Sequence, residues 1–274
     1  RRPRGIRKGG QVMGSATTQA LAASTAALAQ AKDVTLDTAG EFFTVARLLG
    51  ESGQLSGALA DPAAPEGLRE QVVATVFGGL SNTTRQVLSA AVGERWSNED
   101  GLISGIEELA IRAAAIAEPA TDIEGELFSF LRVVAANPEL ELALGTRLGD
   151  DAAKGVLVEK LIGSRTSAPT TLIVSSLVRQ PRGRRVRQLL NRAMKIVSAQ
   201  GDRIVATVHT AATLSAAQRT RLGDALAGRY GGQVSINEVI DPTVVGGLRV
   251  QIADDIIDGS ISARLADLRQ KLAG

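Results

Sequence analysis

Four aspartates near the C-terminal end of the sequence are the residues most suited to catalysis or metal binding. Asp241, Asp254, Asp255 and Asp258 have the chemistry of a hydrolytic pair or a divalent-cation site. Both kinds of site need carboxylates that converge in a cleft. Here each aspartate falls in a turn at the end of a predicted strand, where the side chain favours local backbone hydrogen bonds. We therefore interpret the four as structural residues.

Three other features could have a functional role, but each also has a structural interpretation. His209 is the one histidine, and no serine or cysteine nucleophile motif accompanies it, so it indicates no catalytic triad. Gly246-Gly247 precedes a predicted strand and lacks the spacing of a phosphate-binding loop. We expect this pair to supply positive φ angles or a close backbone approach. Trp96 lies among charged and polar residues, and is either an interface anchor or an end plug of a helical bundle.

The composition excludes several classes of site. The chain of 274 residues has no cysteine, which excludes disulfides, zinc–thiolate sites and thiol nucleophiles. A single histidine excludes histidine-cluster metal sites, and aromatic residues at 3% leave little material for a base-stacking surface. We therefore predict a binding role rather than catalysis, and no metal site.

The positive charge is unevenly distributed. Residues 1–12 hold five basic side chains and no acid, whereas the rest of the chain is slightly acidic. We expect these residues to be a disordered basic leader, and the alternative is a basic arm for an acidic surface. The sequence has neither the apolar run of a signal peptide nor the roughly 20 apolar residues of a membrane span.

The central chain contains an internal repeat of helical segments. EFFTVARLLGESGQLSGAL, from Glu41, aligns without a gap with ELFSFLRVVAANPELELAL, from Glu126, about 85 residues later. Apolar residues in both recur at the i, i+3, i+4, i+7 spacing of an amphipathic helix. We predict two copies of a four- or five-helix unit, at about 38–117 and 122–200. An alanine-rich helix, from about Ser15 to Gln30, precedes them.

The second copy is basic where the first is acidic. No acid lies between Glu159 and Asp202. The basic residues of this stretch include Arg179, Arg182, Arg184, Arg185, Arg187, Arg192 and Lys195. They form either a solvated face that offsets acids elsewhere in the fold or a docking surface for an acidic partner, with Arg184 and Arg185 as interface candidates. A nucleic-acid site over Arg179–Lys195 is a weaker alternative, because no aromatic residue interleaves the charges.

The hydrophobic period changes at about Asp202. RIVATVHT alternates apolar residues and predicts a strand, and an S-x-x-Q capping box at Ser215 opens a helix that Gly231-Gly232 ends. Two strands follow, and Ser260 caps a last helix. The apolar stripe of that helix is Ile261, Leu265, Leu268 and Leu272. The predicted order is β-α-β-β-α.

The predicted fold class is therefore mainly α. It combines an N-terminal helical bundle that has an internal duplication with a small C-terminal α/β domain. The predicted divisions are the leader at 1–12, the helical bundle at 13–200 and the α/β domain at 201–274.

The C-terminal string VSINEVIDPTVVGGLRVQIADDIIDGSISARLADLRQKLA resembles the signature of the delta subunit of bacterial F-type ATP synthase, the counterpart of the mitochondrial oligomycin-sensitivity-conferring protein (OSCP). The signature positions are Ile240, Asp241, Gly246, Gly247, Leu248, Asp258, Gly259 and Arg264. The second helical copy makes the chain similar to the enlarged delta subunits of high-GC Gram-positive bacteria.

The resemblance implies a non-catalytic stator subunit without a cofactor, which supports the rotational coupling of proton transport to ATP synthesis. The family's helical bundle holds the N-terminal segments of alpha subunits on the F1 head, and its C-terminal domain meets the C-terminal end of the b subunit. The implied location is peripheral to the bacterial cell membrane, on its cytoplasmic side, with no direct nucleic-acid contact. Arg264 and the stripe at 261–272 become interface candidates, and the alternative for the stripe is packing on its own sheet.

Overall fold

The computed structural model describes residues 14–145, 150–201, 203–244, 246–252 and 255–259. The described chain is mainly helical with a small mixed sheet near its C-terminal end, which confirms the predicted fold class. It divides between Ala117 and Glu118 into two compact units. The predicted helical region 13–200 is therefore shared between the units, and its second copy lies in the same unit as the sheet.

The first unit is a helical bundle in which three of the helices begin at a capping side chain. Its helices are α1 (Ser15–Gln30), α2 (Leu36–Glu51), α3 (Gly53–Ala60), α4 (Glu66–Val76), α5 (Asn82–Gly93) and α6 (Glu99–Ala117). The bounds of α1 are those predicted from the sequence. Thr35, Ser52 and Ser81 each accept a hydrogen bond from an amide in the first turn of the helix that follows. Such caps satisfy amides that have no partner inside the helix.

The core of the first unit lies where α2 packs against α6. Phe42 and Val45 of α2 are fully buried, as are Ile106 and Leu109 of α6. Burying each such side chain contributes about 1.5–3 kcal/mol relative to its exposure. Helix α1 packs against α5 and α6 through small buried residues, such as Ala20.

The second unit begins with five helices that follow the order of α2 to α6. They are α7 (Ile123–Ala136), α8 (Pro138–Gly145), α9 (Asp151–Ile162), α10 (Ala168–Arg179) and α11 (Val186–Gln200). The pairing of α7 with α11 repeats that of α2 with α6. The repeat found in the sequence is therefore a duplicated five-helix unit.

A glutamate occupies the same place in both copies. The Glu41 carboxylate accepts hydrogen bonds from the Ser81 amide at 2.9 Å and the Ser81 hydroxyl at 2.6 Å, and a third from the Thr84 hydroxyl. The Glu126 carboxylate accepts the equivalent set from Ser167 and Thr170. Each carboxylate thus ties the first helix of its copy to the start of the fourth.

The C-terminal sheet has the strand order β2-β1-β3-β4 among the described residues. Its elements are β1 (Arg203–Thr210), α12 (Ala216–Tyr230), β2 (Gln233–Ile240), β3 (Leu248–Ile252) and β4 (Asp255–Asp258). Strands β1 and β2 are parallel, whereas β3 is antiparallel to β1 and β4 to β3. One face packs on α12, with Ala206, Val208 and Leu226 in its core.

The beginning and end of α12 agree with the sequence prediction. The Ser215 and Gln218 side chains form the capping box, and Gly231 ends the helix at a φ of 76°. Strand β4 was not predicted. It has four residues, and its position is fixed by antiparallel pairing with β3, in which Ile257 lies opposite Val250. Asp255 and Asp258 are therefore the first and last residues of a strand.

The shared glutamate gives a first prediction. Partial burial acts to raise the pKa of Glu41, but the hydrogen bonds from Ser81 and Thr84 outweigh it and hold that pKa below its ordinary value. Glu41→Ala and Glu126→Ala should each lower the free energy of unfolding by about 1–3 kcal/mol at pH 7. The Glu41 contribution is present above the ordinary carboxyl range and is lost as the pH falls through the lowered pKa. Urea unfolding measures both effects.

The matched control for these variants is Glu70→Ala, which removes an exposed glutamate from α4. It should change stability by less than about 0.5 kcal/mol. Equal losses in the control and in the two variants would contradict the structural role of the paired carboxylates.

Candidate interaction surfaces

The family-signature residues at 240–248 build the connection that crosses the end of β1. Strand β2 ends at Ile240 beside Thr210, and β3 begins at Leu248 on the other side of Thr210. The chain therefore passes over the end of the central strand. The Asp241 amide donates to the Thr210 carbonyl at 2.8 Å.

Asp241 organises the first half of this crossing. Its Oδ1 accepts hydrogen bonds from the Thr243 hydroxyl at 2.6 Å and the Thr243 amide at 2.9 Å. These bonds hold the pKa of Asp241 below its ordinary value. Val244 follows as a buried residue of the loop. Asp241 is thus a turn-forming residue, as its sequence context indicates.

Gly246 and Gly247 complete the crossing with φ angles of 65° and 79°. Both lie in the left-handed region, which side chains other than glycine rarely adopt. This geometry agrees with the positive φ predicted for the pair. Gly259 belongs to the same end of the sheet, where its amide donates to the Leu248 carbonyl at 2.9 Å.

His209 lies on β1 next to this connection. Its Nδ1 is 3.9 Å from an Asp241 carboxylate oxygen and makes no hydrogen bond within the described part of the chain. Burial and the nearby Arg249 guanidinium hold the pKa of His209 below its ordinary value, against the pull of Asp241. Arg249 lies directly opposite it on β3.

Asp255 and Asp258 lie at opposite ends of β4. Asp255 accepts a hydrogen bond from the Tyr230 hydroxyl at 2.5 Å, and Asp258 lies opposite Arg249 in the β3–β4 ladder. Asp254 lies outside the described residues. Within the part of the chain that the structure describes, no group of three or more histidine and acidic side chains is placed to hold a metal ion.

The remaining interface candidates fall into two groups. Ile261, Arg264, Leu265, Leu268 and Leu272 lie outside the described residues. Arg184 and Arg185 lie in the connection between α10 and α11, where Arg184 Nε donates to the Pro181 carbonyl at 3.1 Å and Arg185 is exposed.

Two arginines of the basic stretch are paired within the fold. Arg179 contacts Glu159 at 2.8 Å, and Arg187 contacts Glu141 at 2.9 Å. For these two residues the basic stretch offsets acids elsewhere in the same unit. Arg184 and Arg185 lie between them in the chain.

Trp96 is a buried plug in the first unit. It is 3% exposed, and its indole N–H donates to the Ala91 carbonyl at 2.7 Å. Its ring lies directly against Gly105, where a Cβ atom would clash with it. The structure thus favours the end plug over the exposed anchor.

Glu124 is a buried polar contact that the sequence did not single out. It is 3% exposed, and its Oε1 accepts a hydrogen bond from the side-chain Nδ2 of Asn237 at 2.9 Å. The contact joins α7 to β2, while α11 packs against β1. Burial raises the pKa of Glu124, and Ser235 and Asn237 only partly offset that effect.

Glu124→Gln should stabilise the chain at neutral pH. A raised pKa in the folded state means that the charged form costs stability, and the cost is absent below the ordinary value of 4.5. The glutamine keeps an acceptor for Asn237 and removes the charge. The melting temperature should therefore rise at pH 7 and converge with that of the parent chain below pH 4.5. Glu139→Gln, an exposed change on α8, should shift neither curve, and a lower melting temperature for Glu124→Gln at pH 7 would contradict the assignment.

Gly247→Ala should destabilise the connection over β1 by about 1–2 kcal/mol, because an L-residue is strained at its φ angle. The control is Gly40→Ala in α2, where no atom lies within 4 Å of the added Cβ. That change should stabilise the chain by roughly 0.5–1 kcal/mol. Thermal unfolding of both variants compares them, and equal behaviour would show that position 247 does not require a positive φ angle.

No helix among the described residues has the length and apolar character needed to cross a membrane.

Comparison with known proteins places this architecture in one family. The sequence-family model described as the ATP synthase delta (OSCP) subunit matches residues 108–272. ATP synthase subunit delta of Leifsonia xyli subsp. xyli is 46% identical over 96% of this chain and all of its own length. The Streptomyces avermitilis subunit delta is 40% identical over 86% of this chain and 88% of its own.

Among solved structures, a chain of the Toxoplasma gondii mitochondrial ATP synthase hexamer is 18% identical, with a TM-score of 0.36. The match covers 61% of this chain and 97% of the other. These comparisons give no support to the nucleic-acid alternative. The extent of the family match and the identity to the curated subunits show that this chain belongs to the ATP synthase delta (OSCP) subunit family and is a stator subunit of that complex.

Proposed function

We propose that this chain links the catalytic head of ATP synthase to its peripheral stalk without a catalytic site or cofactor of its own. Its helical part would hold the N-terminal segments of the alpha subunits, and its α/β part would contact the C-terminal end of the b subunit. The observation that carries the proposal is the family match over 108–272, which spans the second helical copy and the α/β part together.

The packing of the second unit supports a mechanical role. A linker that resists rotor torque must pass force between its two binding surfaces without yielding. Here α11 packs directly on β1, and the buried Glu124–Asn237 bond joins α7 to β2. Arg132 adds a contact to the Glu238 carbonyl at 3.3 Å. Close-packed interiors have low compressibility and transmit strain, so this seam suits a load-bearing connection.

The proposed location is peripheral, on the cytoplasmic side of a bacterial cell membrane, through the assembled complex. The interface candidates are those named from the sequence. The stripe at 261–272 and Arg264 are proposed to contact the b subunit, while Arg184 and Arg185 are proposed to contact an acidic partner. We expect amphipathic helical segments of the partner subunits to bind in grooves of this chain.

Removal of this chain should uncouple the enzyme. In membranes whose ATP synthase has been stripped of it, the head should still hydrolyse ATP, while ATP-driven proton pumping should fall by at least about tenfold, because the head turns with the rotor. Adding the purified full chain should restore pumping. Hydrolysis and the pH change in inverted vesicles measure the two activities separately.

Heads whose alpha subunits lack their N-terminal segments provide the control. The chain should neither sediment with those heads nor restore pumping. Pumping that is unchanged by removal of the chain would overturn the stator role, whereas restored pumping with the shortened alpha subunits would overturn only the proposed alpha contact.

A further inference from the structure

The two helical copies carry equivalent clefts. In the first copy a cleft of about 1220 Å³ lies between α3 and the connection from α5 to α6, and Gly53, Ser56, Gly57 and Ala60 line it. In the second copy a cleft of about 410 Å³ lies between α8 and the connection from α10 to α11. Its α8 residues are Pro138, Glu141, Leu142 and Gly145, each 85 positions after its counterpart.

Helix α1 forms a wall of the first cleft. Its first turns contribute Ser15, Ala16 and Gln19 to the lining. It is fastened by a reciprocal pair, since the Thr17 amide donates to Ser97 Oγ at 3.2 Å and the Ser97 amide donates to Thr17 Oγ1 at 3.1 Å. One wall of this cleft is therefore a helix from outside the repeat.

Within the described part of the second unit, no helix forms such a wall for the second cleft. Its lining comes from α8 and the α10–α11 connection. The sequence offers no counterpart of α1, because only residues 118–122 separate α6 from α7. The duplication thus repeated the cleft but not the helix that lies beside it.

The two clefts have opposite charge. The first is lined by four carboxylates, those of Asp61, Glu94, Glu99 and Asp100, and by one arginine. The second is lined by Arg184, Arg185, Arg187 and a single carboxylate, that of Glu141. With three arginines and one carboxylate in its lining, the second cleft carries a net positive charge that favours an acidic partner.

An exposed leucine lies among these arginines. Leu142 is 74% exposed, and its counterpart in the first copy is Gly57. A leucine bordered by cations matches a helix that has an apolar stripe flanked by carboxylates. It adds nothing to the binding of a phosphate backbone, which is governed by charge alone.

We propose that the second cleft docks an acidic amphipathic helix of a partner protein, in the position that α1 has beside the first cleft. The two terminal segments of this chain lack the acidic charge that an occupant of the second cleft needs. Residues 1–12 are basic without an acid, and residues 260–274 carry three basic side chains against Asp267. A helix from another protein, with glutamates beside its apolar stripe, satisfies both the leucine and the arginines.

The proposal is tested with the purified full chain and a labelled synthetic helix of about 20 residues, long enough to be helical. Its leucines follow the i, i+3, i+4, i+7 spacing and glutamates flank them, and a matched peptide carries lysines in place of the glutamates. Fluorescence anisotropy at about 50 mM salt should detect binding of the acidic peptide alone, and higher salt should weaken it.

Two variants and a control assign the site. Arg185→Glu should weaken binding by about tenfold or more. It leaves the fold intact, because the residue is exposed and a carboxylate is favourable at the start of α11. Leu142→Ser should weaken binding several-fold. Lys195→Glu makes the same charge change on an exposed part of α11 and should leave binding unchanged.

Equal binding of the acidic and basic peptides would overturn the proposal, as would equal effects of Arg185→Glu and Lys195→Glu. It would also be overturned if duplex DNA bound in an Arg185-dependent manner while the acidic peptide did not bind. Because the test uses the isolated chain, its outcome is separate from that of the pumping experiment.

Discussion

The packing of the first helix of each copy against the last is the constraint on which the rest of the structure depends. In the first unit α2 lies on α6, and in the second α7 lies on α11. These pairs bury the apolar stripes, with Phe42 and Leu127 fully enclosed at equivalent positions. The carboxylates of Glu41 and Glu126 then tie the start of the fourth helix of each copy to the first. Hydrophobic burial supplies most of the stability, and the hydrogen bonds fix the order of the helices.

The same pair of helices in the second unit also carries the sheet. Helix α11 contacts β1, and α7 contacts β2 through the buried Glu124 and Asn237. A buried carboxylate is an expensive choice at such a seam, since an apolar pair of similar volume would often be more stable. Its directional bond fixes one arrangement of strand on helix. For the mechanical role proposed above, a fixed arrangement would matter more than the last increment of stability.

The sequence predicted whatever depended on local periodicity and caps. The α1 bounds, the capping box at Ser215 and the positive φ at Gly247 all follow from residue types over a few positions. Strand β4 was missed because four residues carry too little pattern, and only pairing with β3 fixes it. Glu124 gave no signal, because an acid in the first turn of a helix is ordinary. Its side chain becomes buried only in the tertiary structure, where β2 packs on α7.

The signature residues show why a sequence motif and a binding surface need not coincide. Asp241 and Gly247 are used to carry the chain over the end of β1, which any fold with this strand order must do. Duplicated helices have the opposite freedom. Once Glu41 and Glu126 fix both frameworks, positions outside the buried cores, such as the half-buried Gly57 and the exposed Leu142, are able to diverge. The opposite charges of the two clefts are the result, and recognition by the second copy would therefore differ from that of the first even though their folds are alike.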